Sequence, residues 1–491
     1  MNFDPQDPFF LKLKAGFGFP PTPSQEVAMK GLSMIIKSPT PRPTLVIDGF
    51  AGTGKTTLMK VFCDTAADFN IPVVLMAPTG RAAKVLSNYT GKSASTIHRL
   101  IYRQETSMPD SAFSRSFNRW RSAVFVVDEA SMIGDSYKGD NSDSTPLWGD
   151  GRLLSDLIDF VFSQDGSRLI LIGDPDQLPP VGCESAPALD VPYLKSFGLT
   201  VGHVRLTDVV RQQSDSLILK NSLSIRSIIE GDDTPFEQLP LLTVREGSDV
   251  ELAAGDTLLE KIERSFSSFG TQDVVLITRS NKRATQYNIA LRSQVFYYED
   301  LLVKGDLLIV NKNNYLWTEK AGCNFIANGD IAEVVSIFGY SEMYGLHFAD
   351  VSLHLVDRND IDINCKILLD YLTADVQVVD PETNIPRLLT TDQITQMLNK
   401  GAEEDYANYT NQRKKAKDMR EDQWLNALQV RYAYALTCHK AQGGQWRAVF
   451  VDPGYIPPEA DPKELSKWVY TAISRARKQL YLINYPRIES L

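Results

Sequence analysis

Cysteine is scarce in this chain of 491 residues: the five present, Cys63, Cys183, Cys323, Cys365 and Cys438, are odd in number, far apart and form no CxxC pair. That pattern excludes a disulfide framework, offers no zinc module and fits a reducing compartment. Long apolar runs are also missing. Nothing approaches the roughly 18 residues needed to span a bilayer, and the opening MNFDPQDPFF has no basic segment leading into an apolar one. The chain therefore reads as cytoplasmic, with no membrane partner. A basic excess is the third absence: 51 Lys and Arg stand against 61 Asp and Glu, for a net charge of −10. The all-round positive surface of many polyanion binders is excluded, so any such site has to be local. The rest is ordinary for a folded protein, with 43% apolar and 23% charged residues and length enough for roughly three domains.

Short apolar runs that end in Gly or Asp alternate with helical stretches through the first half of the chain, the rhythm of a parallel α/β sheet. Thr44–Asp48, Val73–Met76, Val124–Asp128 and Leu169–Asp174 read as strands covered on both faces. A polar segment with isolated aromatics, Tyr102–Arg121, reads as a small insertion, and Lys138–Gly151 as a surface loop. A second α/β core is expected to start near Val204, with Asp273–Thr278 as a strand and Asn281–Ser293 as the following helix. It resumes at Ala448–Asp452, Lys467–Arg475 and Gln479–Ile483. Between its halves, Val335–Leu355 and Cys365–Val379 alternate like short antiparallel strands, and a charged helical stretch covers roughly Thr391–Leu428.

Gly49–Thr56 reads GFAGTGKT, a full GxxxxGK[ST] pattern placed after an apolar strand and before a helix. Its glycines let backbone N–H groups curl around phosphate oxygens, the helix N-terminus adds its dipole, Lys55 reaches the outer phosphates, and Thr56 ligates Mg²⁺. Asp128 and Glu129 end the VFVVD strand, where the first can hold the Mg²⁺ shell and the second polarise an attacking water. Gln177, in the loop GDPDQLPPV, is suited to sensing the γ-phosphate.

Nine segments in order complete the reading: TPSQ at Thr22–Gln25, GFAGTGKT, APTGRAAKVL at Ala77–Leu86, STIHRL at Ser95–Leu100, DEAS at Asp128–Ser131, GDPDQLPPV, VVRQ at Val209–Gln212, LTCHKAQGGQW at Leu436–Trp446 and VYTAISRARKQLYL at Val469–Leu482. This series resembles the RecD-type, class B branch of the superfamily-one helicases, its phage Dda-like members most of all. The resemblance implies two RecA-like P-loop NTPase domains with parallel sheets, one at 1–101 and 122–203 and the other at 204–334 and 431–491. It adds a pin-like insertion at 102–121 and an SH3-like β-barrel with a charged helical extension at 335–430. ATP and Mg²⁺ would be the cofactors. Gln25, Gly52, Thr53, Gly54, Lys55, Thr56, Thr57 and Asp128 would bind the nucleotide and its metal. Glu129, Lys55 and Gln177, with Arg211 and Arg475 as arginine fingers, would carry hydrolysis. Pro78, Thr79, His98, Thr437 and His439 would meet the nucleic acid, and Phe113 or Phe117 would form the pin.

The implied activity is a DNA helicase that runs 5′ to 3′ on single-stranded DNA in replication, recombination or repair. Its implied partners are single-stranded and forked DNA and proteins of replication or recombination, and it would act as a monomer. Two alternatives stay open on the residues: an RNA track, because a 2′-OH contact cannot be read from motifs, and an ATP switch stimulated by nucleic acid that separates no strands.

Overall fold

The computed structural model describes residues 3–103, 114–135, 152–208, 216–231, 239–255, 257–318, 326–356, 361–379 and 386–490. They fall into two compact units. The first comprises the described residues up to Gly231 together with Ser466–Thr471, and the second comprises those from Leu239 to Leu465 and from Ala472 onward.

In the first unit six strands form one sheet, in the spatial order Ala94–Thr96, Val73–Ala77, Val124–Val127, Arg168–Gly173, Pro43–Gly49 and Thr200–Leu206. Every neighbouring pair is parallel. Continuous aliphatic runs form the middle strands because both faces are covered. Leu45 and Ile47 point toward the helices Pro8–Gly16, Pro23–Ile36 and Lys55–Asp68, whose Phe9, Leu13, Met29, Leu32, Leu58 and Phe62 fill that face. Val46 points the other way, toward Ile97, Ile101 and Leu154, Leu157 and Ile158 of the helix Leu153–Val161.

The change of core expected at Val204 falls inside a strand. Thr200–Leu206 pairs with the phosphate-loop strand from Pro43↔Thr200 to Gly49↔Leu206, and the helix Leu217–Glu230 also belongs to the first unit. The insertion opens as a hairpin, in which Tyr102–Arg103 pairs antiparallel with Ser114–Arg115. Its root is fastened to the helix Leu153–Val161: the Tyr102 hydroxyl donates to Asp156 at 2.6 Å, Arg115 pairs with Asp159 at 2.5 Å, and the buried Asn118 amide donates to the Phe160 and Val161 carbonyls. Trp120 is half-buried and packs edge-on against the core residues Phe125 and Phe160. Phe113 lies outside the described residues.

The second unit holds a parallel sheet in the order Val250–Ala253, Ala476–Ile483, Trp446–Asp452, Val274–Thr278, Ala435–Thr437. A closed five-stranded barrel is built from Leu307–Val310, Ile331–Met343, Leu346–Leu355, Ile361–Leu368 and Leu428–Tyr432. The barrel therefore draws strands from both sides of the expected 335–430 span. Arg292 and Asp306 pair through two bonds of 2.9 and 2.8 Å, with Asp306 fully buried and also taking the Tyr434 hydroxyl and the Val303 N–H. The charged stretch becomes two helices, Thr391–Asp405 and Gln412–Glu421. Arg431 holds the first to the barrel by donating to Asp375 and to Thr391. No helix among the described residues is long and apolar enough to cross a membrane.

Candidate ATP-binding and nucleic-acid sites

The phosphate loop, the Asp128–Glu129 pair and the Gln177 loop leave the carboxyl ends of three strands that lie side by side, the place where open parallel sheets bind ligands. Gly52 and Gly54 both have φ of +86°, in the left-handed region that a side chain disfavours. A Cβ on Gly49 would sit 2.8 Å from Leu206, so the loop can leave its strand only as glycine. Thr53 Oγ1 donates to the Phe50 carbonyl at 2.9 Å and is fully buried. Gln25 is buried as well, but its amide is spoken for: Oε1 accepts the Thr22 N–H and Nε2 donates to the Thr53 carbonyl at 2.9 Å. It braces the phosphate loop and caps its own helix in the same contact set.

Lys55 opens the helix Lys55–Asp68, and its ammonium donates to the Gly49 and Phe50 carbonyls at 2.5 and 2.8 Å. Among the described residues no carboxylate forms an ion pair with it. The cation is thus held by neutral oxygens of its own loop, which phosphate oxygens would outcompete. Thr56 and Thr57 follow on the first turn, half-buried.

Asp128 is pushed up toward neutrality by burial and by the charge of Glu129, against the Glu129 N–H bond and the charge of Lys55. Glu129 has φ of +54°, a conformation that costs a residue with a side chain about 1 kcal/mol or more. Close packing supports the strain, since a Cβ on Gly173 would lie 2.9 Å from the Ser131 nitrogen. No cluster of three or more His, Cys, Asp or Glu that could hold a metal exists among the described residues. Thr56 and Asp128 suit Mg²⁺, which usually takes one or two carboxylates together with substrate phosphates. The donor set therefore fits a magnesium nucleotide.

The loop after Gly173 is fixed by residues from far along the chain. Tyr470 is 1% exposed, donates to Asp174 Oδ2 at 2.7 Å and accepts the N–H of Ala51 in the phosphate loop at 3.2 Å. Thr471 Oγ1 accepts the Leu178 N–H at 2.8 Å. Sequence reasoning placed Tyr470 and Thr471 in a motif without a task, because their partners lie almost 300 positions away. Asp176 and Gln177 are each 5% exposed.

The residues assigned to nucleic acid are more scattered. Thr79 caps the helix Gly80–Thr90 by accepting the Ala82 N–H, and it is half-buried like Pro78. His98 lies on the helix Ile97–Ile101, where burial pushes its imidazole down to about 4, so it is neutral at pH 7. Phe117 is 74% exposed, beyond the root of the insertion hairpin. In the second unit Thr437 is buried at the end of its strand, and His439 is exposed on the next turn. Neighbouring Lys440 donates to Asn311 at 2.5 Å. Arg475 is 3% exposed there, with its guanidinium on Ser474 Oγ and the Gly444 carbonyl. Arg211 lies outside the described residues.

Residues 30–139 match a family model described as an AAA domain, and residues 432–483 match one described as a UvrD-like helicase C-terminal domain. The chain is 32% identical over 177 residues to the ATP-dependent RecD2 DNA helicase of Deinococcus radiodurans, a match covering 36% of this chain and 21% of that protein. It is 23% identical over 469 residues to the ATP-dependent DNA helicase dda of Enterobacteria phage T4, covering 89% of this chain and 94% of that protein. The chain thus spans about a fifth of the RecD2 helicase and nearly all of the phage one. A crystal structure of a Pif1 helicase from Bacteroides with ADP-AlF3 and single-stranded DNA aligns with 95% of this chain and 93% of its own, at 14% identity and a TM-score of 0.46. With the motif series in order and relatives matching in sequence along it, the chain is similar to ATP-dependent DNA helicases of the RecD2 and Dda kind.

Proposed function

We propose that the protein is an ATP-dependent DNA helicase that moves 5′ to 3′ along single-stranded DNA and separates duplexes in replication, recombination or repair. The reading is carried by one observation: Lys55, Thr56, Asp128, Glu129 and Gln177 stand at the carboxyl ends of three adjacent parallel strands. Bound Mg–ATP would supply the γ-phosphoryl group, and its Mg²⁺ would offset part of the negative charge on the phosphates. The chain's own residues do the rest. Lys55 leaves the Gly49 and Phe50 carbonyls for phosphate oxygens, and Thr56 and Asp128 hold the metal shell. Glu129 orients a water and takes its proton, while Gln177 registers the γ-phosphate. Arg211 and Arg475 act as cations on the charge that builds during transfer, worth orders of magnitude in turnover in phosphoryl-transfer enzymes.

Pro78, Thr79 and His98 in the first unit, and Thr437 and His439 in the second, each offer a contact to a single strand, with backbone and hydroxyl donors on phosphates rather than base readout. Neutral His98 then acts as a hydrogen-bonding group and not as a cation. An aromatic of the insertion, Phe113 or Phe117, splits the fork. Stacking on a base returns about 1 to 3 kcal/mol, against a mean of about 1.4 kcal/mol for a DNA step. The partners are single-stranded and forked DNA, and the protein acts as a monomer in the cytoplasm, the host's cytoplasm if phage-encoded.

Strand separation on matched DNA duplexes with only a 5′ or only a 3′ tail, beside an RNA-tailed pair, tests the reading. Unwinding from the 5′ DNA tail is expected. Activity from the 3′ tail alone refutes the polarity, activity on RNA alone refutes the track, and hydrolysis without separation leaves a switch instead of a helicase.

A further inference from the structure

Arg226 has no place in the motif series, yet its guanidinium lies against two of the motifs. It rises from the helix Leu217–Glu230 onto the ring of Phe50, the second residue of the phosphate loop. Its Nε lies 3.9 Å from Oδ2 of Asp176, in the loop that carries Gln177. Phe50 is 2% exposed, and its carbonyl is the oxygen that holds both the Lys55 ammonium and the Thr53 hydroxyl. Arg226 therefore touches the residue that holds the phosphate-loop lysine in place and the neighbour of the residue assigned to the γ-phosphate.

The contacts in this corner are incomplete. Asp176 Oδ2, Gln177 Oε1 and Arg226 Nε are all buried polar atoms with no hydrogen-bond partner among the described residues. Roughly nine in ten or more buried polar atoms are paired in folded proteins, so three on touching residues mark a set of bonds left open. At 3.9 Å the Asp176–Arg226 pair is an ion pair without a hydrogen bond, and an approach of about 1 Å would make one. One helical turn on, the exposed Glu230 lies 3.3 Å from the same Nε and is itself held by Arg205 at 3.4 Å. Arg226 thus stands between two carboxylates, one exposed and one attached to the Gln177 loop.

We propose that Arg226 is a positioning residue for ATP hydrolysis, one that closes onto Asp176, fixes Gln177 and rests on Phe50 so that the closure follows the state of the phosphate loop. Phosphate binding draws Lys55 off the Phe50 carbonyl, and the ring of the same residue is the seat of the guanidinium. The proposal rests on the ATPase reading above, and the test separates the two.

ATPase turnover is measured with saturating single-stranded DNA for the wild-type chain, Arg226→Ala, Gln177→Ala and the double variant. Arg226→Ala is expected to lower kcat about tenfold with the KM for ATP changed less than about twofold. Added to Gln177→Ala, it is expected to cost less than about a further twofold, because it acts through that residue. Arg226→Met keeps the stem on Phe50 and serves if the alanine variant melts early by calorimetry. Near-normal turnover of Arg226→Met, a rise in KM alone, or a full tenfold loss repeated in the Gln177→Ala background overturns the proposal. A wild-type chain without DNA-stimulated hydrolysis refutes the ATPase reading itself and the positioning role with it.

Discussion

Replacing Asp176 by Asn is expected to stabilise the protein at pH 8, opposite in sign to the loss of an ion pair. Burial, with the charges of Asp174 and Glu230, pushes the Asp176 carboxyl up to about 7, against the pull of Arg205 and Arg226. In the unfolded chain it titrates near 3.8. Between these values the folded state keeps a proton that the unfolded state has released, so stability falls as pH rises through that window and stays low above about 7. At about 1.4 kcal/mol per pH unit the ceiling is about 4 kcal/mol, and relaxation and water entry bring it down to about half. Asparagine keeps the size and removes the charge. In scanning calorimetry without nucleotide, the transition of the first unit should rise by about 4 °C or more at pH 8. The two proteins should converge near pH 4, where both forms of position 176 are neutral. A lower transition for Asp176→Asn at pH 8 would refute the reasoning, because it would mean that the Arg226 attraction outweighs burial. The same variant should hydrolyse ATP more slowly, since the closure assigned to Arg226 needs the carboxylate.

Lys55→Ala should abolish DNA-stimulated hydrolysis while single-strand affinity, read by fluorescence anisotropy, stays within about twofold. Joint replacement of Phe113 and Phe117 by Ala should slow unwinding in a fork assay severalfold more than translocation on single strands, and equal losses would remove the pin. His98, held near 4 by burial against an ordinary value of 6.5, makes the folded state lose stability as pH falls through that interval. His98→Gln should flatten the melting temperature between pH 6.5 and 4 by a few degrees. Asp306→Asn strands the buried Arg292 in the second unit and should lower its stability by about 3 to 5 kcal/mol in denaturant titration.

Much of the first sheet was legible because its central strands are covered on both faces and must be apolar throughout, as Val124–Val127 and Leu169–Ile172 are. Thr200–Leu206 carries no such signal for the converse reason. It lies at the sheet edge, where His203 and Arg205 face outward onto Asp48, so it lacks the apolar signature of a covered strand. The barrel was half legible: its hairpin strands alternate in sequence, but Leu307–Val310 and Leu428–Tyr432 become partners only through pairing across more than a hundred residues. The positions of Lys55, Asp128 and Glu129 at the carboxyl ends of adjacent strands could be read because they sit in short local patterns that follow apolar strands. Gln25 could be found in the same way, though not that both ends of its amide are occupied. Arg226 and Tyr470 gave no such signal, since a charged residue in an apolar helix and a tyrosine in a motif acquire meaning only from what folds against them.

The Tyr470 bond also has a consequence for the order in which the protein is made. Asp174 and the phosphate loop emerge from the ribosome early, with all six strands of their sheet complete by Leu206. Their hydroxyl partner follows 296 residues after Asp174, a delay of about 15 to 60 s at usual synthesis rates. For that interval the nascent first unit has its sheet but lacks the contact that joins its phosphate loop to the Gln177 loop. Nucleotide affinity should therefore mature late in translation, and a fragment ending before Ser466 should fold its sheet yet hold ATP weakly.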